Sequence, residues 1–365
     1  MNKNNPIKLT KRGFHWIDER YKLTDLFSFL KKKSVPQYRA TIWYYFGGIA
    51  LLLFTVQVVT GILLLMYYKG TQDLAYESVK YIDTKVNFGW LIRSVHSWSA
   101  NLMVLSVFIH MFSVYFLKSF RKPRELTWYT GIGLLLLSFA FGFSGYLLPW
   151  NELAFFATKV GTDIVGEVPL VGEYFLKLLR GGEDVTGATL SRFFGLHVAV
   201  FPGLFTILLA LHLIFIQRQG MTEPEDWKSK PVSEKQQIPF FPNFALRELI
   251  IWLIVINILA ILAVFFPWEI GNKADLFAPA PEGIKPEWYF LFMFQVLKML
   301  PGKMIFINGE LFGILMFGIG GLLWILVPFW EKRTPVGIRN RLLTYFGIFV
   351  IIFIIIFTML GFYLD

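Results

Sequence analysis

The chain has 365 residues, 55% of them hydrophobic and only 16% charged, with a mean hydropathy of +0.55, a balance that soluble globular domains do not show and that makes the bilayer its expected solvent. Cysteine is absent, which excludes disulfides, thiolate iron–sulfur ligands, a CxxCH haem attachment and a cysteine nucleophile, so any metal must be held by histidine or carboxylate. The formal charge of +10 would suit nucleic acid, but in a membrane chain an excess of Lys and Arg is first explained by orientation, and no nucleic-acid partner is expected.

Residues 1–40 are polar and basic, with no cleavable signal peptide expected, and read as a soluble cytoplasmic segment. Runs long enough to cross a hydrocarbon core, about 20 residues at about 1.5 Å each, lie near 41–68, 88–117, 128–148, 193–216, 249–266, 311–330 and 342–363. The expected fold is therefore all-α, a polytopic transmembrane helix bundle of seven helices, and the fifth is its shortest span. Between the third and fourth, residues 151–192 are too polar to span yet apolar at helical spacing, which predicts short interfacial helices. Between the fifth and sixth, "PWEIGNKADLFAPAPEGIKPEWYF" is too rich in proline and glycine to be one regular element. With the N-terminus inside, the inside segments 1–40, 118–127, 217–248 and 331–341 hold 23 of the 35 Lys and Arg. That is the positive-inside pattern, and seven crossings then leave the C-terminus outside.

His15 lies in the polar N-terminal segment, whereas His96, His110, His197 and His212 fall inside spans, where an ionisable group is costly and is a functional candidate. On the second span the two histidines are 14 residues apart, about four turns, so they share a face about 21 Å apart along the axis. On the fourth they are 15 apart, again about four turns, with an added rotation of roughly 60°. The second and fourth spans run the same way, which puts His96 and His197 at the outer level and His110 and His212 at the inner level. One neutral imidazole from each side is what a six-coordinate haem iron requires. For any single histidine an interhelical hydrogen bond would explain as much. Gly47 and Gly61 on the first span and Gly131 and Gly145 on the third repeat the 14-residue step and would let backbones approach a flat ring. Arg93, three before His96, could hold a haem propionate or simply anchor a helix start.

These residues carry a resemblance. "NFGWLIRSVHSWSANLMVLSVFIHMFSVY", "KPRELTWYTG", "GYLLPW", "SRFFGLHVAVFPGLFTILLALHLIFIQRQG" and "KPEWYFLFMFQVLK" resemble cytochrome b of the Rieske/cytochrome b (bc/b6f-type) complexes, from about residue 15 to the end. The 15-residue step from His197 to His212 is similar to the plastid and cyanobacterial cytochrome b6 branch. The resemblance implies a four-helix dihaem domain over 41–216, a cytoplasmic linker over 217–248 and a three-helix, subunit IV-like domain over 249–365. It implies two non-covalent b haems, on His96 with His197 and on His110 with His212. Where the b6 branch has a cysteine tethering a further haem, this chain has Tyr45, so no covalent haem is expected. Gln217 stands where that branch has a basic residue, with Arg218 next to it near the inner quinone site.

The resemblance further implies quinol oxidation at the outer face by Pro286, Glu287, Trp288 and Tyr289, with Glu287 as the base and Tyr146 nearby. Electrons would pass to an external iron–sulfur carrier and, through the two haems, to an inner quinone, so that protons are released outside and taken up inside. The implied partners are a Rieske iron–sulfur protein, a c-type cytochrome subunit, a second copy of the complex and the lipid membrane, in a bacterial cytoplasmic membrane. For Glu287 a plain helix-capping carboxylate is the competing reading. For the whole chain it is a dihaem anchor of a dehydrogenase or hydrogenase, or a haem-free transporter.

Overall fold

The computed structural model describes residues 6–224, 227, 230–304, 306–331 and 338–364. Two short helices, α1 (Pro6–Tyr21) and α2 (Leu23–Lys32), precede a strand β1 (Ser34–Pro36) and a 3₁₀ turn, Arg39–Tyr44, that leads into α3 (Tyr45–Leu65). Then come α4 (Ala75–Lys85), α5 (Gly89–Phe116), α6 (Glu125–Leu147), α7 (Glu152–Gly166), α8 (Gly172–Arg180) and α9 (Gly187–Gly195). A π-helical turn, Leu196–Val200, joins α9 to α10 (Phe201–Gln219). The rest comprises β2 (Gln237–Pro239), α11 (Ala245–Phe265), α12 (Trp288–Met299), β3 (Lys303–Met304), β4 (Ile307–Asn308), α13 (Gly309–Ile325), α14 (Val327–Trp330) and α15 (Ile338–Tyr363).

Long helices are what lipid demands, because every backbone polar group must be satisfied within its own segment. Among the described residues six helices are long and apolar enough to cross a membrane: Arg39–Leu65, Gly89–Phe116, Glu125–Leu147, Gly187–Gln219, Phe240–Phe265 and Arg341–Tyr363. The sixth expected span, residues 311–330, is not among them, since α13 has 17 residues and the helical backbone is interrupted at Leu326 before α14. The fifth, shortest in the sequence, is among the most apolar of the six, and its helix α11 begins four residues before the expected run. The expected short helices between the third and fourth spans are α7 and α8. Buried Arg180 locks them together, with Nε donating to Thr162 Oγ1 at 2.8 Å and Nη2 to Asp163 Oδ1 at 2.7 Å.

The bundle has two distinct ends. At one, the four basic segments meet. β1 pairs antiparallel with β2, Val35 opposite Ile238, so the N-terminal segment and the 217–248 linker are stitched together. Arg124 donates to the Gly220 and Gln219 carbonyls. Arg121 makes a two-pronged ion pair with the buried Glu331, at 3.0 and 2.6 Å. Tyr115 Oη donates to the Leu343 carbonyl at 2.6 Å. At the other end, Tyr68 Oη donates to Leu148 O, Tyr76 Oη to Gly271 O, the Glu152 N–H to Asn272 O, and Lys285 Nζ to Phe362 O. The irregular segment 266–287, as its prolines and glycines predict, forms no helix or ladder beyond a single bridge, Asn151 to Lys273.

Candidate functional site

α3 packs along α5, and α6 along α10, so the helices that carry histidines face each other with a glycine-bearing helix beside each. His96 and His197 stand with ring centroids 6.5 Å apart and planes at 69°. A metal–imidazole bond is about 2 Å and the ring centroid lies about 1 Å behind the nitrogen, so two ligands on opposite sides of one iron have centroids about 6 Å apart. This pair fits that requirement. His110 and His212 lie close enough to interact electrostatically and form the second level. Among the described residues no cluster of three or more histidines and carboxylates is placed to hold a metal, so any metal here depends on these twos plus a ligand of its own.

The 15-residue step on the fourth helix does not add the expected rotation of roughly 60°. The Phe201 N–H bonds to the Leu196 carbonyl across the π-helical turn, which takes up one extra residue. Removing that residue from the count leaves the same four turns, and about the same face, as the 14-residue step on α5. Pro202, which has no N–H to continue the α ladder, sits immediately after the wide turn.

Each of the four glycines meets one imidazole. A Cβ built on Gly47 would lie 3.1 Å from His110 Cε1, on Gly61 3.4 Å from His96 Cε1, on Gly131 3.1 Å from His212 Cε1, and on Gly145 2.7 Å from His197 Cε1. The space left by the missing side chain is thus filled by the imidazole ring itself.

The residue before each glycine matters as much, and sequence reasoning missed it. Thr60 Oγ1 lies 2.8 Å from His96 Nδ1, Thr130 Oγ1 2.9 Å from His212 Nδ1, and Ser144 Oγ 3.0 Å from His197 Nδ1. Each hydroxyl also donates to a carbonyl of its own helix, of Val56, Leu126 and Phe141 respectively. With the hydroxyl proton spent, its oxygen accepts from Nδ1–H, which fixes the tautomer and leaves Nε2 with a free lone pair. Among the described residues no hydrogen bond engages Nε2 of any of the four. The signal was in the chain, as the dipeptides Thr-Gly, Thr-Gly and Ser-Gly.

Glu287 immediately precedes α12 and supplies no side-chain cap to it, against the capping reading. Burial raises its carboxyl to about 6. Burial, followed by the neighbouring Glu287 and Tyr146, pushes the Tyr289 phenol far above its usual value. Tyr289 Oη rests on Gly142, one turn from Gly145. Trp288 Nε1 donates to Asn101 Oδ1 at 2.8 Å, between the two histidines of α5. Pro286, Glu287, Trp288, Tyr289 and Tyr146 are therefore gathered beside the His96 and His197 level.

Three other expected residues are placed differently. Arg93 is tied to Asp83 at 2.6 Å and to the Trp268 carbonyl, which joins α4, α5 and the end of α11. Arg218 is exposed near the basic end of α10. Tyr45 is buried and stacked on Phe244, centroids 4.7 Å apart and planes 9° from parallel. It also lines a cleft with Arg39 and Arg247 at the basic end of α3 and α11.

Residues 30–220 match the family described as Cytochrome b/b6/petB, and residues 274–364 the family described as Cytochrome b(C-terminal)/b6/petD. A cytochrome bc complex cytochrome b subunit of Chlorobaculum thiosulfatiphilum is 49% identical over 355 residues, covering 96% of this chain and 82% of that one. A cytochrome b6 of Synechococcus sp. (strain JA-3-3Ab) is 44% identical over 211 residues, 58% of this chain and 98% of that one. Among solved structures, a chain of a hyperthermophilic respiratory complex III superposes with a TM-score of 0.84 at 29% identity, covering 95% of this chain and 90% of its own.

Proposed function

The chain belongs to the cytochrome b/b6 family and is the membrane catalytic subunit of a bc/b6f-type quinol oxidoreductase complex, and from this premise we propose that it oxidises quinol beside α12 and holds two b haems at the two histidine levels. Haem b binding follows from the family. The number of two is supported by two histidine pairs, with Nδ1 of three of the four imidazoles held by a hydroxyl and a glycine against each ring. When bound, the haems would supply one-electron carriers, one held by His96 with His197 and one by His110 with His212.

The observation that carries the quinol site is the half-buried, uncapping Glu287 at the His96 and His197 level. With a carboxyl titrating near 6, it is mostly ionised at pH 7 and still basic enough to accept a proton from a quinol hydroxyl within hydrogen-bond reach. Tyr289 and Tyr146 carry phenol hydroxyls that would orient a quinone oxygen. The apolar cluster of Trp150, Phe155, Phe156 and Phe193 under the loops limits water access. The proton then leaves through the aqueous end. Quinone reduction belongs at the basic end, near Arg218, and Tyr45 there offers no thiol for a thioether-bound haem.

The partners that fit this activity are a Rieske iron–sulfur protein and a c-type cytochrome subunit, in a homodimeric complex of a bacterial cytoplasmic membrane. The N-terminus is cytoplasmic. Residues 41–216 and 249–365 act as the b6-like and subunit IV-like parts, with 217–248 between them. The crossing by α13 and α14 makes the seventh span: Gly313 packs on Leu297 and Leu300 of the α12 region, while Glu331 pairs with Arg121 at the basic end. A dihaem anchor would not call for the Glu287 cluster.

The test is purification of the intact complex, pyridine haemochrome quantitation after acid–acetone extraction, and reduction by added quinol. Two extractable b haems per chain, both reducible by quinol, are expected. One haem, or haem retained by this polypeptide under denaturation, overturns the reading.

A further inference from the structure

Three of the four ligand histidines have the same neighbour: a Ser or Thr directly before the glycine, accepting from Nδ1. The fourth breaks the pattern. Before Gly47 stands Phe46, whose ring stacks on Trp43 with centroids 5.7 Å apart, and His110 Nδ1 is buried without a hydrogen-bond partner. Yet Gly47 holds the same relation to His110 that Gly131 holds to His212, each Cβ position being 3.1 Å from Cε1. What is missing is the hydroxyl and not the approach.

We propose that Phe46 tunes the haem at the basic end by denying His110 the Nδ1 acceptor that the other three ligands have. An N–H hydrogen-bonded at Nδ1 makes the imidazole a stronger donor through Nε2, which favours the ferric iron and lowers the reduction potential; outer-shell partners of this kind tune metal sites generally. His110, bonded to nothing through Nδ1, is the weaker donor, so the haem it shares with His212 is held at a higher potential than a fully bonded pair would give. The level of His96 and His197 has two such bonds and the level of His110 and His212 has one. Leaving a buried N–H unpaired is unfavourable, and here the cost falls on the one side chain whose electron donation it alters. The inference rests on the assignment of His110 and His212 as haem ligands. Phe46 is a positioning residue in this scheme, acting through His110 and touching no substrate.

The experiment is spectroelectrochemical titration of both haems in the purified complex carrying Phe46→Ser, Phe46→Thr or Phe46→Leu. The serine or threonine supplies the acceptor and is expected to shift the basic-end haem to lower potential, leaving the other in place. Phe46→Leu, which supplies none, should leave both in place. Thr130→Val, which removes the hydroxyl acceptor of His212, should move the same haem upward. In the unaltered, fully reduced complex, which is diamagnetic, ¹⁵N-histidine NMR should show one ligand Nδ1–H without a hydrogen bond beside three with one. Four equivalent hydrogen-bonded signals, an unmoved basic-end potential in the serine and threonine variants, or an equal shift with leucine, would each overturn the proposal. A complex with no haem at this level would instead remove the ligand assignment beneath it.

Discussion

Glu287 shows how one backbone position sets a chemical property. It precedes the first turn of α12 with φ −53° and ψ 147°, extended and not capping, so its carboxyl is left among apolar neighbours that raise it to about 6. A base with that value loses its proton-accepting form as pH falls through about 6, so quinol oxidation should decline on that acid limb and level off above it. Glu287→Gln retains size and hydrogen bonding but removes the base, and a positioned base contributes typically 10²- to 10⁴-fold. With Tyr146 and water able to substitute in part, turnover should fall about ten- to a thousandfold and the acid limb near 6 should disappear, with both haem spectra unchanged. Steady-state quinol oxidation across pH, with haem reduction followed in the same sample, measures both effects. An unaltered pH profile in the glutamine variant would assign the acid limb to another group.

At the scale of an element, the fourth membrane helix carries an adjustment that the sequence spacing disguised. Taken as regular α-helix, 15 residues between His197 and His212 turn the second imidazole away from the first by roughly 60°. The π-helical turn at Leu196–Val200 absorbs one residue, and Pro202 follows it where the ladder is already broken. Deleting the exposed Ala199 from that turn should therefore convert it to α-helix and retain both haems. Inserting one alanine after Ile207, in regular helix, rotates His212 by about 100° and should abolish the basic-end haem. Redox difference spectra of the two variants decide the matter. Loss of the basic-end haem on deletion of Ala199 would show that the wide turn is not what sets the register.

For the whole molecule, the sorting of contacts into two ends says more than the count of spans. The segments that hold most of the Lys and Arg bond to one another, through β1 and β2, Arg124 and the Arg121–Glu331 pair, while Lys285 reaches Phe362 at the opposite end. If the basic end is cytoplasmic, a reporter fused after the C-terminal Asp365, which lies outside the described residues, should be active on the outer side. One fused in 217–224 should be active inside. Cytoplasmic activity at the C-terminal fusion would mean that α13 and α14 turn back without crossing.

The helical class of the fold, the gathering of the basic segments at one end and the two-by-two placing of the four histidines were legible in the residue order, because hydropathy over about 20 residues, the placing of Lys and Arg, and periodicity along a single helix are properties of local sequence. The 14-residue glycine steps were legible too, though their partner was expected to be the flat cofactor and proved to be an imidazole on the adjacent helix. Other features were decided only when helices distant in sequence came together. Arg93 found Asp83 and the end of α11, Thr60, Thr130 and Ser144 found their histidines across a helix interface, and His110 found no acceptor. Hydrogen bonds between helices depend on rotation about each axis, and that rotation is set by the packing of whole faces and by the π-helical turn. Glu287 has its raised carboxyl for the same reason, since desolvation is a property of what surrounds a side chain in three dimensions.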